Sequence, residues 1–185
     1  MRSPSAARGE AVRQRLLVAA VELIPERGWT AVSTRVLAER AGVTPSVVHY
    51  HFSSVQAVLV EAVLGTMRAV AGELGPALDA AGTADEVVDA MVTAVEQYTG
   101  TDPMSLLFVE GYLAATRDDT LRAGIAAVLA DLKSVIGTRF RQFGVADPDG
   151  TAAVLGAAID GLLMHRAVAP DDVPAGAAAV LRRLV

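Results

Sequence analysis

The sequence predicts an all-α protein, and three observations carry that expectation. The first is the stretch from Ser33 to Phe52, STRVLAERAGVTPSVVHYHF, which reads as helix, tight turn, helix. The second is the return of apolar residues at helical spacing, as in Val12, Leu16, Ala19, Ala20, Leu23 and Ile24, and again in Ile125, Leu129, Leu132, Ile136, Phe140 and Phe143. The third is punctuation: capping residues stand where such stripes begin, and Gly28 and Gly42 stand where they end. A chain of 185 residues is long enough to bury a proper core. It has no cysteine, which excludes disulfides, thiolate catalysis and cysteine-based zinc sites.

Residues 1–9, with Ser3, Pro4 and Ser5 and no apolar periodicity, are expected to form a flexible arm. Arg2 and Arg8 could reach a minor groove from it, although an unstructured end is the simpler reading. The first helix is expected from about Glu10 to Arg27, with Pro25 kinking it or ending it early, since proline removes a backbone donor. Trp29 is assigned to the core beneath the helix-turn-helix.

Ser33 or Thr34 can cap the next helix, whose apolar face is Val36, Leu37, Ala38 and Ala41. Gly42 supplies the left-handed residue that closes it, and Val43 plugs the angle. Thr44 caps a short, polar-aromatic helix from Pro45 to His51, with Pro45 at the first position, where a missing N–H costs nothing. A second helix of this kind, set against the first, is the element that enters a DNA major groove.

A fourth helix is expected to open after Ser53 and Ser54, to carry Val58, Val63, Met67 and Val70 on one side, and to end between Pro76 and Gly82. Thr83 or Asp85 caps a helix over 84–99, Asp102-Pro103 opens one over 104–116, and Asp118 or Asp119 caps one over 120–143. Ala146-Asp147-Pro148 begins a helix over 149–168, and Pro174 begins the last. The expected division is an arm at 1–9, a helix-turn-helix domain at 10–54 and a larger helical domain at 55–185.

The net charge of −5 hides an asymmetry. Residues 1–60 hold seven arginines against four glutamates, a net of +3, whereas 61–185 hold nine basic and seventeen acidic side chains, a net of −8. Positive charge is therefore gathered where the helix-turn-helix would meet phosphates.

With its flanks, from about Arg13 to Leu59, this stretch resembles the DNA-binding domain of the TetR family of bacterial transcriptional regulators. RLLVAAVELIPERGWTAVSTRVLAERAGV matches the family's first helix, its glycine-aromatic turn and its second helix without a gap, and VVHYHFSSVQAVL matches the recognition helix and the entry to the fourth. The resemblance implies that Thr34, Arg35, Thr44, Pro45, Ser46, Val47, His49 and Tyr50 contact DNA, with Arg35 on a guanine or phosphate and Thr44 to Val47 on base edges. It also implies a homodimer on a near-palindromic double-stranded operator; no enzymatic activity and no cofactor are expected. Two departures stand out. His49 replaces the commoner tyrosine, and Val55-Gln56 stands where Lys-Glu is usual, which removes a phosphate contact and should weaken nonspecific affinity.

The C-terminal part offers two further expectations. Met67, Met91, Tyr98, Met104, Phe108, Glu110 and Tyr112 mix adaptable apolar groups with a few polar tips, which suits a site for a small, largely apolar effector. The same residues at helical spacing also serve as core. Glu110, inside the apolar run LLFVEGYLAA, needs a partner, a ligand or water unless it faces solvent. The run TAAVLGAAIDGLLMHRAV is apolar nearly all round, so Leu155, Ile159, Leu162 and His165, with Leu181 of the last helix, are expected at a four-helix dimer interface, and Gly156 and Gly161 would allow close approach.

The functional expectation is a ligand-responsive regulator, a repressor released from its operator by an effector. The alternatives are a DNA-binding homodimer without an effector and an all-helical enzyme. Against the enzyme, no G-x-S-x-G, H-E-x-x-H or phosphate-binding glycine loop is present. Against metal, His49 and His51 diverge by about 200° on a helix. No uninterrupted apolar run approaches a membrane span and the N-terminus lacks a signal peptide's apolar core, so a cytoplasmic protein is expected.

Overall fold

The computed structural model describes residues 4–169, 171 and 176–185. Arg2, Ser3 and the helix start expected at Pro174 lie outside them. Among the described residues the regular structure is helical, in the order α1 (Pro4–Arg27), a 3-10 turn (Trp29–Ala31), α2 (Thr34–Ala41), α3 (Pro45–His51), α4 (Val55–Ala80), α5 (Ala84–Glu96), α6 (Pro103–Ala115), α7 (Asp119–Gln142), α8 (Pro148–Val168), α9 (Ala177–Leu181) and a closing 3-10 turn (Arg182–Leu184).

One helix start departs from the sequence expectation, and two prolines lie inside helices. α1 starts at Pro4 rather than Glu10, so residues 4–9 are helical rather than a flexible arm. Proline suits the first helical position, and Ala6-Ala7 favour continuing the helix from there. α1 runs through Pro25 and ends at Arg27, the expected residue, and α4 runs through Pro76 and ends at Ala80, inside the expected interval. In each, proline's fixed φ is already helical, and the cost is one lost backbone bond. Both Pro76 and Gly72, whose carbonyl loses its partner, have access to solvent, so that carbonyl can turn to water.

By their contacts the residues gather into two units. The first holds the chain up to Met67 together with Leu106–Ile125; the second holds Arg68–Ser105 and Ala126–Val185. The expected functional boundary after residue 54 is therefore not where the contacts divide. In the first unit, Leu16, Ala20, Leu23 and Ile24 of α1 are buried with Trp29, Leu37, Val48, Phe52, Val58, Leu59 and Val63. α6 and α7 approach α4 through glycines: a Cβ on Gly111 would stand 3.0 Å from Val63 Cγ1, and one on Gly124 2.3 Å from Leu64 Cδ1.

The second unit is built on Leu78, Val87, Val88, Met91, Val92, Ile136, Phe140, Ala152, Leu155, Ile159 and Leu181. Caps fix the helix starts: Thr83 Oγ1 accepts from Glu86 N, Asp102 Oδ1 from Met104 N and Ser105 N, and Asp147 Oδ1 from Gly150 N. Arg166 ties α8 to the end of α5, donating to the carbonyls of Val95 at 2.9 Å and Tyr98 at 3.1 Å. Beside it Gly100 adopts φ 85°, and a Cβ there would meet Ala167 N at 2.5 Å. The expected stripe on α7 is interrupted at Leu129, which is 40% exposed.

Among the described residues α4 and α8 are long and apolar enough to cross a membrane by length and composition. Counting uninterrupted apolar runs in the sequence passes over both, because polar residues punctuate them. Only 17% of the α8 window is buried within the chain, against 39% for α4, so α8 carries apolar surface that its own fold does not cover.

Candidate nucleic-acid interface

The interface begins at a turn. Ser33 Oγ accepts from Val36 N at 3.3 Å and starts α2, so the cap is Ser33 rather than Thr34. Gly42, at φ 65° and ψ 41°, ends it: Gly42 N donates to Glu39 O and Val43 N to Ala38 O, the paired closure of a Schellman motif. The chain re-enters a helix at Pro45. Thr44 has the extended backbone of a capping residue but makes no side-chain cap; its hydroxyl pairs instead with Ser46 Oγ at 2.8 Å. The two small hydroxyls thus satisfy each other on the outward side of the turn.

α3 is anchored by one face. Val48 is fully buried and Phe52, just past the helix end, is 7% exposed. Arg13 of α1 lies over the Phe52 ring at 4.8 Å and pairs with Glu61 of α4 at 2.5 Å, which fixes both ends of the α3–α4 junction. The opposite face of α3 is turned out. Thr44, Pro45, Ser46, His49 and Tyr50 have their side chains toward solvent, Val47 is half-buried, and Tyr50 is 84% exposed. Its ring meets His51 edge to face at 5.0 Å. At the start of α2, Thr34 is half-buried and Arg35 is exposed. The eight expected DNA-facing residues are thus placed on α2, α3 and the turn between them, clear of the core.

The arginines divide by task. Arg40 reaches back to α1, at 2.6 Å from Glu26 and 3.1 Å from Glu22. Its hydrogen bond lowers the Glu26 carboxyl, and the bonds from Glu26 and Glu22 raise the Arg40 guanidinium further. Arg13 is also engaged internally, whereas Arg35 makes no ion pair among the described residues and is available to a phosphate or a guanine edge.

Sequence reasoning missed how the turn before α2 is held. Trp29 is buried, and its indole Nε1 donates to Gln56 Oε1 at 2.9 Å. The departure at Gln56 therefore has a structural use in the first turn of α4. The backbone N–H of Trp29 donates to Glu110 Oε2 at 2.8 Å, so Glu110 of α6 has a protein partner. Ser54 Oγ caps α4 at Ala57 N, 3.1 Å away. No spacing rule links residues 29 and 110; only the fold brings them together.

The remaining expected residues scatter. Met67 is buried in the first unit, where Phe108 and Tyr112 lie on α6. Met91 belongs to the core of the second unit, and Tyr98 and Met104 are half-buried there. Burial raises the Tyr98 phenol, and the nearby carboxylates of Glu73 and Asp102 add to it. Three dimer assignments need correction: Leu155, Ile159 and Leu181 are buried in the core of their own unit, with Leu162 packed partly against it. Composition points to the wrong side of α8, because a helix apolar all round does not announce which side faces inward. The exposed side carries Val154 at 56%, Met164 at 55% and Val168 at 84%, with His165 exposed beside them. Beyond their own chain neighbours and helical backbone, none of the described residues comes within 4 Å of a Cβ built on Gly156 or Gly161.

A short outward-facing helix on a buried hinge, led by a capped helix bearing an outward arginine, defines a helix-turn-helix DNA-binding protein. Residues 16–62 match the family described as bacterial regulatory proteins, tetR family, and residues 82–185 match the tetracyclin repressor-like C-terminal domain. The chain belongs to the TetR family and is a DNA-binding transcriptional regulator. It is 28% identical over 175 residues to the HTH-type transcriptional regulator BetI of Rhizobium meliloti, covering 91% of this chain and 86% of that one. A transcriptional regulator of Streptomyces coelicolor A3(2) superposes with a TM-score of 0.78 at 31% identity, covering 94% and 95% of the two chains. A Saccharomonospora viridis regulator, solved in complex with choline, gives 0.76 at 22% identity over 94% and 93%, a likeness of fold.

Proposed function

We propose that the chain acts in the cytoplasm as a homodimeric repressor that leaves a near-palindromic operator when a small, largely apolar effector binds. The observation that carries the dimer is the uncovered side of α8: Val154, Ala157, Gly161, Met164 and Val168 recur at intervals of three and four residues, the spacing of a helix-packing seam. A second copy would cover it, and a dimer that reads successive major grooves presents its two α3 helices about 34–36 Å apart, one turn of duplex DNA. Met164→Asp should therefore give a folded monomer by sedimentation; a dimer that persists would place the interface elsewhere.

Arg35 and Tyr50 carry the DNA assignment. Arg35→Ala or Tyr50→Ala should abolish binding to the chain's own upstream DNA in a gel shift while leaving the dimer intact. A bidentate arginine–guanine contact alone contributes roughly 1–3 kcal/mol of discrimination. Unchanged affinity in both variants would refute the contact assignment.

For the effector, Met67, Met91, Tyr98, Met104, Phe108 and Tyr112 remain the proposed contacts, with Glu110 engaged by Trp29. Ligand coupling in such proteins is typically about 1–3 kcal/mol. The choline held by the Saccharomonospora viridis regulator suggests a second class, quaternary ammonium compounds, and Tyr98 with Glu73 and Asp102 nearby is the feature here that favours a cation. Release of DNA by neutral apolar metabolites, measured beside release by choline, separates the two.

A further inference from the structure

Two consecutive residues of α6 act on different parts of the first unit. Glu110 sends its carboxylate to the turn between α1 and α2, where Oε2 accepts from Trp29 N at 2.8 Å and both oxygens lie 3.7–3.8 Å from the place of a Cβ on Gly28. Gly111 lets Val63 of α4 approach closely, to 3.0 Å from its own missing Cβ. From the same turn, the Trp29 indole reaches Gln56 at the start of α4. The turn from which α2 and α3 are hung is thus held by α6 on its backbone and by α4 on its side chain.

The Trp29 N–H heads a 3-10 turn only three residues long, followed by Val32 in extended conformation and by the cap Ser33. A buried backbone donor must find an acceptor, and here the acceptor is a carboxylate from a helix 81 residues away in sequence. Any acceptor would satisfy the donor. One mounted on α6 makes the setting of the turn depend on where α6 stands.

We propose that Glu110 is a positioning residue for DNA binding. Its carboxylate fixes the Trp29 turn, and through that turn the attitude of α2 and α3 toward the duplex. The inference rests on the DNA-binding face of α2 and α3 and assigns Glu110 a role other than ligand contact.

The test uses the full-length protein and three substitutions. Glu110→Ala removes the acceptor, Glu110→Gln keeps an acceptor oxygen at nearly the same reach, and Glu110→Asp keeps the charge but withdraws it by one methylene. Amide hydrogen exchange should accelerate at least tenfold across residues 29–52 in the Ala and Asp variants, with exchange in 84–96 unchanged. Glu110→Gln should stay within about threefold of the parent. Trp29 is the chain's single tryptophan, so its emission reports the same loosening directly. Affinity for the chain's upstream DNA should fall about tenfold in the Ala and Asp variants and be rescued by Gln. Acceleration confined to Trp29 itself would overturn the proposal, as would equal exchange in the Gln and Ala variants. The exchange measurement stands without DNA, so failure of the parent to bind that fragment would count against the operator reading and not against this one. If Glu110→Ala does not fold, the Asp and Gln pair decides the matter alone.

Discussion

Gly42 and Gly100 are both left-handed, at φ 65° and φ 85°, yet their surroundings are opposite. Gly42 ends α2 in the first unit, and beyond its chain neighbours none of the described residues comes within 4 Å of where a Cβ would stand. Gly100 lies buried in the second, against the backbone of α8 at Leu163 and Ala167. The first glycine serves a turn that points a helix at something outside the chain. The second serves a close approach that holds the chain to itself. The arginines repeat the contrast: Arg35 is turned out to solvent, whereas Arg166 spends its guanidinium on the carbonyls of Val95 and Tyr98. Arg13 and Arg40 of the first unit are likewise engaged internally, so the contrast lies between Arg35 and Arg166 and not between all the polar groups of the two units.

The largest effect should therefore come from Gly100→Ala. The new Cβ would meet backbone atoms at 2.5, 2.7 and 2.9 Å, which cannot rotate away as a flexible side chain would. Left-handed strain adds to the overlap, and together they should cost roughly 2–5 kcal/mol. For a chain of this size that lowers the melting temperature by about 10 °C, readable by calorimetry. A loss no larger than that of Gly42→Ala would mean that the α5–α6 loop is not pressed on α8.

A smaller effect is expected at Asp102, which closes the same loop. Burial alone would raise its carboxyl, but hydrogen bonds from Ser105 Oγ, Ser105 N and Thr99 N outweigh burial and bring it to about 2. A carboxyl lowered on folding stabilises the fold above its unfolded value near 3.8, and that contribution is lost as pH falls from there toward about 2. Asp102→Ala should cost about 1–2 kcal/mol at neutral pH, as loss of a helix cap does, and the variant's deficit should narrow below pH 3.8. Denaturant melts at pH 7 and pH 3 check both halves; a deficit independent of pH would point to packing instead.

The same contrast explains what the sequence could reveal. Ser33, Gly42, Pro45 and Asp102 act on residues a few positions away, so the starts of α2, α3 and α6 can be read from spacing. The anchored face of α3 can be read as well, since a seven-residue helix with Val48 inward leaves Ser46, His49 and Tyr50 outward. The features that escaped were set by distance along the chain or by symmetry of composition. The Trp29–Glu110 and Arg166–Tyr98 bonds join residues 81 and 68 apart, with no pattern between them. α8 is apolar on all sides, so its inward side, Leu155 and Ile159, could be fixed only by knowing what α5 presents to it. The helical start at Pro4 was hidden because a run of serine, proline and arginine reads as a loose end until a helix behind it propagates through the alanines.

Gly42→Ala, comparable in size to Asp102→Ala and smaller than Gly100→Ala, is the sharpest comparison. No atom obstructs the methyl group, so the whole cost is that of holding an L-residue left-handed, roughly 1–2 kcal/mol. Asparagine tolerates that conformation better than alanine, so Gly42→Asn should recover part of the loss. At Gly100 the order should reverse, because asparagine adds bulk where space, not dihedral angle, is the constraint. The reversal can be read from four melting curves and depends on no assumption about DNA or effector. Were asparagine better than alanine at both positions, backbone conformation would govern both sites; the close approach of Gly100 to α8 would then be too soft to bind the second unit together.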